Sequence, residues 1–181
     1  HQKNFKVENE LRDRFILSKG HGCLGLYSAL LEKNFLSKEK FLSFEKNGSK
    51  ILGHPIIDRK IGIEFSNGSL GMGLSLALGV AIGLKKKKLS NKVFVLIGDG
   101  ECNEGAIWEA AISAPKFKLN NLTAIIDKNN FQQTGATKEV MPITKIKTIW
   151  KNYGWEVFDV DGHNFRELDA AFSKNSNAPK L

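Results

Sequence analysis

Two short stretches carry residues able to do chemistry together. One is Ile97-Gly98-Asp99-Gly100-Glu101-Cys102-Asn103-Glu104-Gly105, and the other is Asp127-Lys128-Asn129-Asn130. A glycine turn at a strand end lets backbone N–H groups approach a phosphate, and a following helix N-terminus adds a favourable dipole. The Asp99 carboxylate would repel that phosphate unless a cation lay between them. A hard metal ion bridging oxygen ligands and a diphosphate removes the conflict.

The surrounding residues define the elements that must position these groups. Lys92 to Ile97 and Leu122 to Ile126 are apolar, largely β-branched runs that predict buried parallel strands. Between them Ile107, Ala110, Ala111 and Ala114 recur at helical spacing and predict a helix over 104–114. That separation is one βαβ crossover, so both strands end at the same crevice edge of one sheet. Phe15 to Leu17 predicts a first buried strand, followed by the turn Ser18-Lys19-Gly20-His21-Gly22 and a helix over 24–31. His21 in that turn is open to two readings, an anion contact or an ordinary surface histidine. Ser37 is the expected N-cap of a second helix, and Gly53-His54-Pro55 is a rigid turn presenting another histidine. Gly68, Gly71 and Gly73 feed a slim helix over 70–84, serving either close approach to a ligand or close helix packing. A helix over 144–151, a strand over 155–160 and a final helix over 165–172 complete the pattern. The expected fold is α/β, an open, mostly parallel sheet with helices on both faces, in a single domain spanning 1–181.

Composition narrows the function classes. Hydrophobic content of 41% and charged content of 25% are those of a water-soluble globular chain. The net charge of +8 arises from scattered lysines, and the one run, Lys85 to Lys88, closes a predicted helix where cations suit the dipole. No motif interleaves aromatics with that charge, so nucleic acid is not the expected partner; anionic sugar phosphates suit the surface equally well. Cys23 and Cys102 are too few for a disulfide framework or zinc site and fit a reducing, cytoplasmic setting. No apolar run reaches membrane-spanning length. The chain opens on His1 without Met and is read as a fragment.

With these residues in view, a family becomes recognisable. Gly98-Asp99-Gly100 running on to Asn129-Asn130 resembles the thiamine-diphosphate motif. The stretches LSKGHGCLGLYSALLEKNF, GHPIIDRKIGIEFSNGSLGMGLSLALGVAIGLK and YGWEVFDVDGHNFREL resemble the amino-terminal half of transketolase, most closely its split-subunit form. The fold implied is the thiamine-diphosphate-binding fold, in its diphosphate-binding (PP) module. The resemblance implies that Asp99, the Asn129 side chain and the Phe131 carbonyl hold Mg²⁺ or Ca²⁺, while Gly100 donates its N–H to the diphosphate. It implies that His21 contacts the diphosphate and that His54 meets the donor sugar's hydroxyl groups. Gly68, Ser69 and Leu70 match the loop bordering the aminopyrimidine. Glu104 and Glu109 match acidic residues at a dimer contact that links two active sites.

The implied reaction is transfer of a two-carbon ketol unit from a ketose phosphate to an aldose phosphate. The carboxylic acid that activates the cofactor sits, in this family, in the pyrimidine-binding carboxy-terminal half. A partner half is therefore implied, in a homodimer or heterotetramer. Other thiamine-diphosphate enzymes, such as deoxyxylulose-phosphate synthases or 2-oxo-acid dehydrogenase components, remain alternatives, as does a non-catalytic module keeping the fold. The family's upstream Ser-Gly-His turn and its late histidine have no counterpart here, which fits truncation at both ends.

Overall fold

The computed structural model describes residues 9–181. Its centre is three parallel strands, β1 (Arg14–Leu17), β2 (Val93–Gly98) and β3 (Leu122–Asp127), in the order β1-β2-β3. A two-stranded hairpin, β4 (Phe131–Gln132) and β5 (Gly135–Ala136), leaves the end of β3. The helices are α1 (Cys23–Glu32), α2 (Lys38–Phe41), α3 (Met72–Lys86), α4 (Gly105–Lys116), α5 (Thr137–Val140), α6 (Ile146–Asn152) and α7 (Phe165–Ser173).

Alternation along the strands divides the core into two layers. Val93, Val95 and Ile97 join Leu122 and Ala124 on one face, where Leu74, Ala77 and Ala81 of α3 and Ile107 and Ala111 of α4 cover them. On the other face Leu17 packs with Cys23 and Tyr27 of α1, Leu36, Ile51, Ile61 and Ile63, and Leu96 joins that cluster. Phe94 meets Phe172 of α7 edge-on, with ring centroids 5.9 Å apart. Helices therefore cover both faces, as expected. Among the described residues no helix is long and apolar enough to cross a membrane.

Three elements differ from expectation, each for a local reason. Helix α3 starts at Met72 rather than Leu70, because its N-cap Gly71 adopts a left-handed φ of 83°. The stretch 155–160 does not form a full strand. Glu156 bridges Lys180, Lys180 bridges Thr123, and Phe158 N–H reaches Leu181 C=O at 2.7 Å. Beyond these bridges, Phe158 to Val160 line a cavity of about 730 Å³ against β3.

The third difference is at the end of α4, which runs through Pro115 to Lys116 instead of stopping at Ala114. Proline has no N–H, so the carbonyl of Ala111, one turn earlier, loses its helical partner. The indole Nε1–H of Trp155 donates to that carbonyl at 2.7 Å. Trp155 also stacks edge-on against Trp150 of α6 at 4.7 Å, and Trp150 lies 5.9 Å from Trp108 of α4. Trp155→Phe is expected to lower stability by about 1–3 kcal/mol by leaving a buried carbonyl unpaired. Adding Pro115→Ala restores an N–H and should recover part of that loss in urea unfolding.

Both cysteines are buried and free. Burial pushes the Cys102 thiol up to about 12 from its ordinary 9.0, with the charges of Glu101 and Asp99 adding to the effect. Stability from the neutral thiol is complete below about pH 9 and is lost as pH rises toward the native value, because only the unfolded thiol ionises in between. Cys102→Ala should therefore flatten part of the fall in urea midpoint above about pH 9.

Candidate functional site

The ends of β2 and β3 lie side by side because Gly98 pairs with Asp127 and the Asp99 N–H donates to the Asp127 carbonyl at 3.2 Å. Asp99 is 7% exposed. Its Oδ1 accepts from Gly100 N–H at 3.0 Å, and its Oδ2 from Asn130 N–H at 2.9 Å and the Thr137 hydroxyl at 3.3 Å. Asn130 reaches that position with a left-handed φ of 62°. The side-chain oxygen of Asn129 accepts from Phe131 N–H at 2.8 Å, so the turn after β3 folds over Asp99. Phe131 itself is exposed.

Gly100 has a steric reason. A Cβ there would lie 2.8 Å from Cγ of Gln132, so only glycine lets the β4–β5 hairpin close on the turn. Asn103 Nδ2 fastens the same contact, donating to the Gly100 carbonyl at 3.3 Å and to Gln132 Oε1 and the Met141 carbonyl at 3.2 Å each.

The candidate metal ligands offer a carboxylate, a side-chain amide oxygen and a backbone carbonyl, all hard donors of the type Mg²⁺ and Ca²⁺ take. Among the described residues no group of three His, Cys, Asp or Glu side chains forms a metal site. The donor set fits a hard cation held jointly with an anionic ligand.

A second group gathers at the end of β1. The rings of His21 and His54 lie 5.7 Å apart at 63°, and both side chains are exposed. A Cβ on Gly20 would sit 2.5 Å from His54, which accounts for the glycine before His21. The loop carrying Gly68, Ser69 and Leu70 is tied to the same end of β1, since Asn67 Nδ2 donates to the Leu17 carbonyl at 3.2 Å. Gly68 takes a φ of 135°, and a Cβ there would touch His54 at 3.8 Å. Glu104 is the N-cap residue of α4 and packs under Gly71, where a Cβ would lie 2.6 Å from its own Cβ. Glu104 and Glu109 are both exposed.

The expected site residues therefore fall into two neighbouring groups, Asp99, Gly100, Asn129 and Phe131, and His21, His54 and the Gly68–Leu70 loop. Several residues that sequence reasoning missed join them. Lys19 Nζ pairs with Asp127 Oδ2 across the end of β2. Glu101, 3% exposed, accepts hydrogen bonds from Ser18, Gly71 and Gly98. An acid inside a turn reads as a solvated side chain, and its three donors lie on segments far apart in sequence. The one available signal was a second carboxylate two residues after Asp99.

Comparison with known proteins agrees with this geometry. Residues 3–180 match the family described as transketolase, thiamine diphosphate binding domain. The chain is 41% identical over 167 residues to one of the apulose-4-phosphate transketolase subunits, from Phocaeicola vulgatus, covering 92% of this chain and 59% of that protein. It is 39% identical to a 6-deoxy-6-sulfo-D-fructose transketolase subunit of a Clostridium species, covering 92% and 61%. The crystal structure of transketolase from Campylobacter jejuni superposes with a TM-score of 0.89 at 33% identity, over 97% of this chain and 30% of that one. This chain thus spans about three fifths of the subunit-sized relatives it matches. With nearly every residue inside the match, and a glycine-aspartate turn beside an asparagine turn at adjacent strand ends, the chain belongs to the transketolase family through its thiamine-diphosphate-binding domain.

Proposed function

We propose that this chain is the diphosphate-binding part of a thiamine-diphosphate-dependent transketolase, moving a two-carbon ketol unit from a ketose phosphate to an aldose phosphate. The observation that carries the proposal is the meeting of Asp99, Gly100 and the Asn129–Phe131 turn at the paired ends of β2 and β3. In this reading Asp99, the Asn129 side-chain oxygen and the Phe131 carbonyl hold Mg²⁺ or Ca²⁺. Gly100 would offer its N–H, which now donates to Asp99 Oδ1, to the diphosphate.

Bound thiamine diphosphate supplies the nucleophilic carbon and the electron sink for two-carbon transfer. This chain's residues bind and orient. His21 donates to the diphosphate, and His54 meets the donor sugar's hydroxyl groups from the neighbouring turn. Gly68, Ser69 and Leu70 border the aminopyrimidine. Glu104 and Glu109 present exposed carboxylates to a second active site across a dimer contact.

The acid that activates the aminopyrimidine belongs to a pyrimidine-binding partner half, in a homodimer or heterotetramer. The subunit names of the two split relatives support that division of labour. Residues 1–181 act as one diphosphate-binding module in a cytoplasmic enzyme of carbohydrate metabolism. The formal net charge of +8 favours anionic sugar phosphates.

Calorimetry with thiamine diphosphate and Mg²⁺, on the chain together with its partner half, tests the ligand set. Asp99→Ala and Asn129→Ala are expected to lose binding by at least about a hundredfold, in line with removal of a ligand to a charged group. Chelation of the cation should do the same to the unaltered protein. Equal binding by either variant overturns the metal assignment. In a donor screen that includes apulose 4-phosphate and 6-deoxy-6-sulfo-D-fructose, ketol transfer is the expected outcome, and CO₂ release from pyruvate would count against it.

A further inference from the structure

We propose that Glu101 is the positioning residue of the cofactor crevice, a buried carboxyl group whose hydrogen bonds lock the diphosphate turn, the glycine loop and the end of β1 into one geometry. The inference rests on the thiamine-diphosphate reading for its consequence but on this chain's own hydrogen bonds for its substance.

Three segments converge on the two oxygens of Glu101. Oε1 accepts from the Ser18 hydroxyl and from Gly71 N–H at 2.9 Å, and Oε2 accepts from Gly98 N–H at 3.0 Å. Ser18 leads directly into the turn of His21, Gly71 closes the Gly68–Leu70 loop, and Gly98 opens the Asp99 turn. The Ser18 oxygen in turn accepts from Gly73 N–H at 3.1 Å. Both the proton and a lone pair of that hydroxyl are thereby committed, so its orientation is fixed.

Every partner of Glu101 is a donor, so both of its oxygens serve as acceptors. Glutamine would turn an NH₂ group against one of these N–H groups. Among the described residues no lysine or arginine forms an ion pair with Glu101. Its carboxyl group lies instead at the start of α3, where it accepts from the N-cap residue Gly71. The segments are also pressed together, since a Cβ on Gly73 would lie 2.3 Å from Cβ of Ser18. Glu101 is too deeply buried to touch a substrate, so its action passes through the groups it holds.

The test is Glu101→Gln in the complete enzyme, read in two ways beside a core variant such as Leu74→Ala or Ile107→Val matched to it in thermal midpoint. Thiamine diphosphate with Mg²⁺ should bind the Gln variant at least about tenfold more weakly, the loss of one buried hydrogen bond, while the matched core variant keeps its affinity. Amide exchange should quicken at Gly71, Gly73 and Gly98 and stay unchanged at Val95 and Ala124. Affinity within about twofold of the unaltered enzyme, or an equal loss in the matched core variant, overturns the proposal. If Glu101→Gln does not fold, Ser18→Ala removes a single donor and must still weaken cofactor binding and quicken exchange at Gly73. Should the unaltered enzyme bind no thiamine diphosphate, the cofactor reading fails, and exchange alone decides: unchanged protection at Gly71 and Gly98 then overturns the role of Glu101.

Discussion

The parallel pairing of β2 with β3 is the constraint on which the rest depends. Its register sets Gly98 beside Asp127, and from there the two chains leave the sheet within hydrogen-bonding reach of each other. A slip of one residue would turn Val93, Val95 and Ile97 away from α3 and α4 and carry Asp99 away from the Asn130 amide. Burying the β2 side chains and assembling the oxygen donors are therefore the same event. The second group of candidate residues is hung on the neighbouring pairing, since Ser18 and Lys19 both donate their backbone N–H to the Leu96 carbonyl as β1 ends.

Two neighbouring acids are held differently. Asp99 lies at the crevice edge, its oxygens accepting from Gly100, Asn130 and Thr137. Glu101 is turned inward and satisfied by donors alone. Next to it in the chain, the Cys102 thiol is held neutral. Two residues apart, one carboxyl group thus faces the turn after β3 and the other the segments that precede α1 and α3.

Much of this was legible in the sequence because it follows from side-chain type and period. The β-branched runs placed β2 and β3, the alanine and isoleucine spacing placed α4, and the helix-ending lysines fell in the last turn of α3. What could not be read depends on neighbours that are distant in sequence. The stretch 155–160 is held by single bridges to residues 179–181 rather than by a full ladder, a pairing that amino-acid pattern does not specify. Proline reads as a stop because the indole that offsets its missing N–H lies 44 residues beyond the orphaned carbonyl. In the candidate site, Asp99 and Asn129 stand out by residue type at a strand end. Glu101 does not, since its partners lie at positions 18 and 71.

The pairing of Ala111 with Trp155 also bears on how the chain is assembled as it is made. When α4 has left the ribosome, the carbonyl of Ala111 has no helical donor and is left to water, because its intended partner has not yet been synthesised. The last turn of α4 is completed only after β3, the β4–β5 hairpin and α6 have followed. The far end of α4 thus depends for one hydrogen bond on a residue made 44 positions later.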